Sequence, residues 1–245
     1  MTPSSANRFV GIDYLRGLAS LAVAWFHLTN TYDAGPVQAS GQFGWLGVEV
    51  FFVISGFVIP WAVRGGQLSN IAGRLVFIGR RAIRVELPYI VSIMLVLALW
   101  QLSAMHPSFA GDAPSWTISQ IGLHIVYLIP FSDFTWLQPV YWTLAWEFAF
   151  YLFVAAFFPW TIGAKSVWLW GAMALATLLL IGFGLVPIYA GLFAMGAAVF
   201  RMAEGLSGLT EAAVVLLGAW IAMLVSGGNL QAIIGVATAG AIIMM

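Results

Sequence analysis

The sequence predicts an all-α, polytopic membrane protein, and three observations predict it. Of the 245 residues, 62% are hydrophobic and only 7% are charged, where a soluble domain carries about 25% charge. The mean hydropathy is +0.98, so most of the surface is built to face something other than water. The apolar residues also gather in runs that approach the ~20 residues a helix needs to cross a bilayer. Formal net charge is zero, and no global attraction to nucleic acid is expected. The chain has no cysteine, which excludes disulfides, thiolate metal sites and acyl-cysteine chemistry. Its three histidines, His27, His106 and His124, are too scattered for a metal motif.

Taken in chain order, crossings are expected over 9–30, 44–63, 87–105, 140–160, 166–184, 186–203, 210–227 and 229–245. The first runs into HLTNTYDAG without a small-x-small cleavage site, so it reads as a retained helix rather than a signal peptide. A basic stretch, RGGQLSNIAGRLVFIGRRAIRVE, separates the second crossing from the third, which is expected to begin at Pro88. The segment 118–132 is short and contains Pro130. Positive charge arbitrates its role, because bases collect on the cytoplasmic side. If 118–132 does not cross, Arg8, Arg64, Arg74, Arg80, Arg81, Arg84, Lys165 and Arg201 all fall on one side. If it crosses, Lys165 and Arg201 change sides.

The expectation is therefore about eight transmembrane helices, both termini cytoplasmic, and 118–132 as an interfacial or re-entrant segment. Trp136, Tyr141, Trp142 and Trp146 would then form an outer aromatic belt. Small residues at helical spacing (Ala190, Ala194, Ala198; Gly235, Ala239) are expected to let the late helices pack closely. No linker interrupts the chain, so residues 1–245 read as a single membrane domain.

Five charged or histidine residues lie three or more residues inside these spans: Asp13, Arg16, His27, Glu49 and Glu147. A charge at a helix centre costs about 2.5–3.5 kcal/mol on insertion scales, so such residues usually mark a site or a pathway. Eleven residues at 100° each bring Arg16 and His27 to within about 20° on one helix face, about 16 Å apart along the axis. Asp13, one turn before Arg16, suits a pairing with it near the inner interface. The second and fourth helices descend from outside, which is expected to bring Glu49 and Glu147 to the depth of His27. An imidazole with an orienting carboxylate is a general-base arrangement for activating a hydroxyl. Arg80, Arg81 and Arg84 suit either a lipid-attracted face or a clamp for phosphate, whose oxygens match arginine forks.

At these residues the sequence resembles the membrane-bound acyltransferase family 3, the integral membrane O-acyltransferases of bacterial surface glycans. The resemblance rests on IDYLRGLASLAVAWFH, GVEVFFVISGFVI, RRAIRVELPYI and YWTLAWEFAFYLFVAAFFP, in that order across residues 11–159. Family members typically have about ten crossings in a longer chain, and this one ends within an apolar run. The resemblance implies transfer of an acyl group, usually acetyl, from cytoplasmic acyl-CoA as co-substrate to a hydroxyl of a glycan or lipid-linked glycan. It implies no bound cofactor, and it implies the inner membrane as location. Carried over residue by residue, Arg16 and His27 match the family's essential pair, Arg80, Arg81 and Arg84 its basic motif, and Glu147 the acid of its fourth-helix motif. Joined to the reading of the residues above, His27 is expected as catalytic base with Glu49 or Glu147 orienting it or binding acceptor, and Arg16 with the arginine cluster, beside Asp13, as the donor-binding set. Ser55, in VISGF, is the one serine considered for an acyl intermediate, with helix packing as its simpler role. The competing reading is a proton-coupled transporter of an anionic solute, with His27 as proton relay. A non-catalytic assembly subunit is the third.

Overall fold

The apolar runs fold as helices, and the computed structural model, which describes residues 10–111 and 114–245, contains no strand among them. Helix α1 spans Val10–Thr29. A short helix, α2 (Pro36–Gly41), and a turn at Gly44–Leu46 lead into α3, Gly47–Val63. Helix α4 (Ile71–Ala104) starts at Asn70, whose side chain accepts the Gly73 N–H at 2.8 Å and caps the first turn. Then come α5 (Ile118–Ile125), α6 (Trp142–Phe157), α7 (Val167–Gly182), α8 (Tyr189–Ala203), α9 (Leu209–Val225) and α10 (Asn229–Ile243). Each expected crossing meets a helix, although Arg8 and the first residue of the first crossing lie outside the described residues. The stretches Pro36–Val63, Ile71–Ala104 and Trp142–Trp160 are long and apolar enough to cross a membrane, and α7 to α10 are shorter apolar helices.

The helices gather into two units, one of α1–α3 with α7–α10 and one of α4–α6. In the first, α3 and α8 touch backbone to backbone. A Cβ on Gly56 would run into the Phe193 carbonyl and lie 3.0 Å from Gly196 Cα, and one on Gly196 would run into the Val53 carbonyl. Phe52 packs on Tyr189 and Phe193 at 5.3 and 5.0 Å, and Arg64 pairs with Glu204 at 3.3 Å. The numbers rise together along both helices, so α3 and α8 run parallel. Gly11 abuts Met245, which places the start of α1 and the end of α10 at one end of this unit.

Arg201 departs from expectation. Counted among the cytoplasmic bases, it is 0% exposed. Its guanidinium donates to the Ile162, Ala164 and Leu206 carbonyls and to Ser207 Oγ at 2.6–3.1 Å, and lies 4.9 Å from the Trp170 ring centre. Five donors in a planar fork suit a ring of carbonyls, and the arginine fastens the 158–165 turn to the end of α8.

In the second unit α4 and α6 run antiparallel: Ser92 meets the Tyr141 hydroxyl at 3.0 Å, Arg81 lies 5.4 Å over Tyr151, and Arg74 donates to the Ala156 carbonyl at 3.3 Å. Two expectations change here. The third helix does not begin at Pro88: the basic stretch is already helical from Ile71, and α4 runs through Pro88 for 34 residues in all, about 51 Å. Pro88 removes one backbone donor and leaves the Arg84 carbonyl without its helical partner, a defect long membrane helices tolerate. Tyr141, expected in an outer belt, is instead 5% exposed and packs edge-on against Tyr89.

Candidate functional site

The candidate residues fall into one group in each unit. In the first unit, α1 is continuous from Val10 to Thr29, so Arg16 and His27 do ride one helix about 16 Å apart. The helix buries Ile12, Ala19 and Thr29 and leaves Asp13, Arg16, Ser20 and His27 exposed. At 100° per residue these four fall within about 60° of arc. The result is one polar stripe along an otherwise apolar helix.

What seats that stripe is a glycine ladder, GQFGWLG, which runs from the end of α2 to the first residue of α3. A Cβ on Gly41 would meet Thr29 and the Trp25 carbonyl, one on Gly44 the Ala22 carbonyl and Phe26, and one on Gly47 the Ala19 carbonyl and Val23. Lacking side chains, the three let the chain lie directly on the α1 backbone. The ladder also fixes register. Two residues past Gly47, Glu49 is level with the turn at Ala19, so His27 lies about 12 Å further along α1. The expected match of depth between Glu49 and His27 does not hold. Glu49 is 2% exposed, its Oε2 has no hydrogen-bonding partner, and it lies near Tyr189 of α8. Ser55 is half-buried beside the Gly56 crossing, which fits packing.

In the second unit the structure brings basic and acidic candidates together. The Tyr151 hydroxyl donates to Glu147 Oε1 one turn away on α6, and the same hydroxyl lies in the field of Arg81 and Arg84. Arg81 covers the rings of Phe77 and Tyr151 at 5.7 and 5.4 Å, a cation–π seat that holds it against α6. Arg80 and Arg84, one turn apart on α4, are exposed. By the α4–α6 register Glu147 stands level with Arg84, not apart from the arginines as the expected depths required.

Sequence reasoning missed three participants here. His124 is 0% exposed; its Nε2 accepts the Leu137 N–H at 3.2 Å, so its Nδ1 carries the proton and donates to the Tyr89 hydroxyl at 2.9 Å. Burial lowers its pKa from the usual 6.5, and both ring nitrogens are engaged, so it is a structural histidine. Tyr127, just after α5, and Glu86, on α4, face each other beside Glu147. Glu86 had a signal, a lone acid in RVELPY, but the expected helix start at Pro88 placed it outside the spans. Tyr127 had none. Among the described residues no three His, Asp or Glu side chains converge on a metal position.

Apolar helices in both units, a polar stripe on α1 and an arginine–tyrosine–glutamate cluster on α4 and α6 mark an integral membrane protein that carries ionisable groups on its helices. The chain belongs to acyltransferase family 3, whose acyltransferase domain matches residues 9–245. It is therefore an acyltransferase, and the transporter reading is set aside. No curated protein and no solved structure matches the chain significantly.

Proposed function

We propose that this enzyme moves an acyl group, acetyl first among the candidates, from acyl-CoA to a hydroxyl of a glycan or lipid-linked glycan at the bacterial inner membrane. The observation that carries the reading is the stripe on α1: an exposed arginine and an exposed histidine on one helix, about 16 Å apart. That spacing lets Arg16 hold the polar part of a long donor while His27 meets its thioester end. Arg80 and Arg84, exposed and one turn apart, add guanidinium forks for the CoA phosphates, and Asp13 flanks Arg16. Glu147, held by Tyr151, is the acid for positioning substrate. Glu49 is assigned to the α3–α8 contact instead of to His27.

In the proposed reaction His27 takes the proton of the acceptor hydroxyl as its oxygen attacks the thioester carbonyl. The tetrahedral intermediate collapses, the C–S bond breaks, and the imidazolium returns that proton to the departing CoA thiolate. The ester forms with no net proton change. General-base assistance of this kind is worth about 10²–10⁴ in rate.

The proposed topology has eight crossings, both termini cytoplasmic and 118–132 not crossing, all within one functional membrane domain. Two features support it. Helix α5 has eight residues, far fewer than a span needs. Three crossings between α3 and α8 make those helices parallel, as they are, whereas a fourth would make them antiparallel.

The test measures thiol release and CoA affinity for His27→Gln, His27→Ala and Arg16→Ala after each is shown to fold. Both His27 variants should lose at least about a hundredfold in turnover and keep CoA affinity, while Arg16→Ala loses affinity. Near-normal turnover in His27→Gln would refute the base assignment.

A further inference from the structure

Only the basic end of α4 enters the proposed chemistry, yet the helix carries a second polar surface beyond Pro88. Val96, Trp100 and Ser103 recur there at helical spacing, within about 60° of arc on one face. Across from them runs the strap 135–138, which leads into α6. Between the two lies a groove of about 340 Å³, lined by Val96, Leu99, Trp100 and Ser103 on the helix and by Leu137 and Gln138 on the strap. That volume falls at the small end of the range for small-molecule sites. The strap is not free to collapse into it. Gln120 Nε2 donates to the Thr135 carbonyl at 2.9 Å, and the Leu137 N–H donates to His124 Nε2 at 3.2 Å. Both side chains are buried, at 7% and 0% exposed. His124 also bonds the Tyr89 hydroxyl of α4 at 2.9 Å, so α5 ties the strap to the helix that forms the opposite wall. Walls pinned by buried polar groups keep their shape before anything binds.

The lining divides as a sugar ring does. Trp100 supplies a broad apolar ring with a polar edge, and Val96, Leu99 and Leu137 add apolar surface. Ser103 and Gln138 supply a hydroxyl and an amide, which between them donate and accept. A lipid tail has nothing to offer those two groups, whereas a pyranose pairs a face of C–H groups with a rim of hydroxyls. Position agrees with chemistry. From Arg84 to Trp100 the helix rises about 24 Å, against about 30 Å for the hydrocarbon core of a bilayer. The groove therefore lies toward the membrane face opposite the arginines, the one that the proposed topology makes external. We propose that this groove is a sugar-binding subsite, taking one pyranose ring of the acceptor against Trp100, with Gln138 and Ser103 on its hydroxyls. The inference rests on the acceptor being a glycan. The ring held here is recognised and not acylated, so its contacts bear on KM and leave kcat alone.

The test uses the full chain in lipid nanodiscs and saturation-transfer NMR with the methyl pyranosides of glucose, galactose and mannose. Cyclohexanol serves as a ring of similar size without the rim of hydroxyls. The variants are Trp100→Leu, which keeps an apolar side chain, and Gln138→Ala, which decides alone if the first does not fold. At least one glycoside should bind the parent, and its affinity should fall about tenfold in either variant. No glycoside signal from the parent, or equal signals from parent and variants, would overturn the subsite. Cyclohexanol bound as tightly as the glycosides, with the same dependence on Trp100, would mark an apolar groove and overturn it as well. Thiol release from acetyl-CoA with the same glycosides separates the subsite from the acyl-transfer reading. Both variants should raise the glycoside KM about tenfold, with kcat and the acetyl-CoA KM unchanged. Glycoside binding that the variants weaken, in a parent that releases no thiol, would support the subsite and refute glycan acylation. Glycoside-dependent thiol release with an unchanged glycoside KM in both variants would support acylation and overturn the subsite.

Discussion

Gly47→Ala tests whether the glycine ladder seats α1, the helix proposed to carry the catalytic base. The added Cβ would lie 2.5 Å from the Ala19 carbonyl oxygen and 2.9 Å from Val23 Cγ2, where ordinary contact begins at 3.4 Å. The valine methyl can swing, but a backbone oxygen inside a helix cannot, so α1 must retreat by about 0.9 Å. Overpacking of this kind costs about 1–3 kcal/mol. At about 2–4 °C per kcal/mol for a chain of this size, the Tm should fall by about 2–12 °C. The retreat moves Arg16 and His27 with their helix, and a displacement near 1 Å lowers turnover by about a hundredfold. Gly171→Ala is the control: it lies within α7 and its Cβ would meet nothing within 4 Å, so it should keep parent Tm and turnover. Both are read in detergent, by tryptophan fluorescence on heating and by thiol release from acetyl-CoA. If Gly47→Ala matches Gly171→Ala in melting and turnover, the ladder does not position α1, and the register drawn from it fails too.

Three other outcomes are expected. Arg201→Ala should leave three carbonyls and Ser207 without their buried donor and remove most folded protein at 37 °C, measured as the monodisperse fraction in detergent; Arg201→Lys should not restore it, since one ammonium cannot span the same ring of acceptors. The His124 pKa is lowered by burial, so the unfolded chain takes up that proton first as pH falls. Its contribution to stability is whole above about 6.5 and declines below it, by at most about 1.4 kcal/mol per pH unit, so melts at pH 7.5 and 5 should differ less in His124→Gln than in the parent. Because the chain has no cysteine, single replacements can be labelled from either side: Ser69→Cys and Lys165→Cys should react from the cytoplasm, Ala34→Cys and Ser115→Cys from outside, and outside labelling at 165 would show that 118–132 crosses.

The all-α class and the places of the main apolar helices were legible in the sequence because long apolar runs read as helices, whereas the short α2 (Pro36–Gly41) was not. The Arg16–His27 stripe was legible for a related reason: helix periodicity fixes which residues share a face. What escaped depends on how helices meet. Depth counted from helix ends put Glu49 and Glu147 beside His27, but the glycine ladder sets Glu49 about 12 Å away along α1, and the α4–α6 register sets Glu147 level with Arg84. Arg201 was counted as a surface base because composition cannot tell a solvated guanidinium from one ringed by carbonyls. Pro88 misled for a simpler reason. Proline often opens a helix, yet here α4 runs through it. Tyr127 lay beyond reach altogether, since its place beside Glu86 arises from a left-handed backbone and from stacked rings distant in sequence.

That unbroken α4 has a consequence for how the proposed polyanionic donor would be caught. In a loop, the residues carrying Arg80 to Arg84 would have to be ordered at the moment of binding, at about 1–2 kcal/mol of backbone entropy each. On a helix capped by Asn70 that loss is already taken when the chain folds. The exposed pair is held one turn, about 6 Å, apart, and Arg81 is pinned over Tyr151. A phosphate-bearing ligand therefore meets charges whose spacing is set beforehand, and more of the attraction remains as affinity.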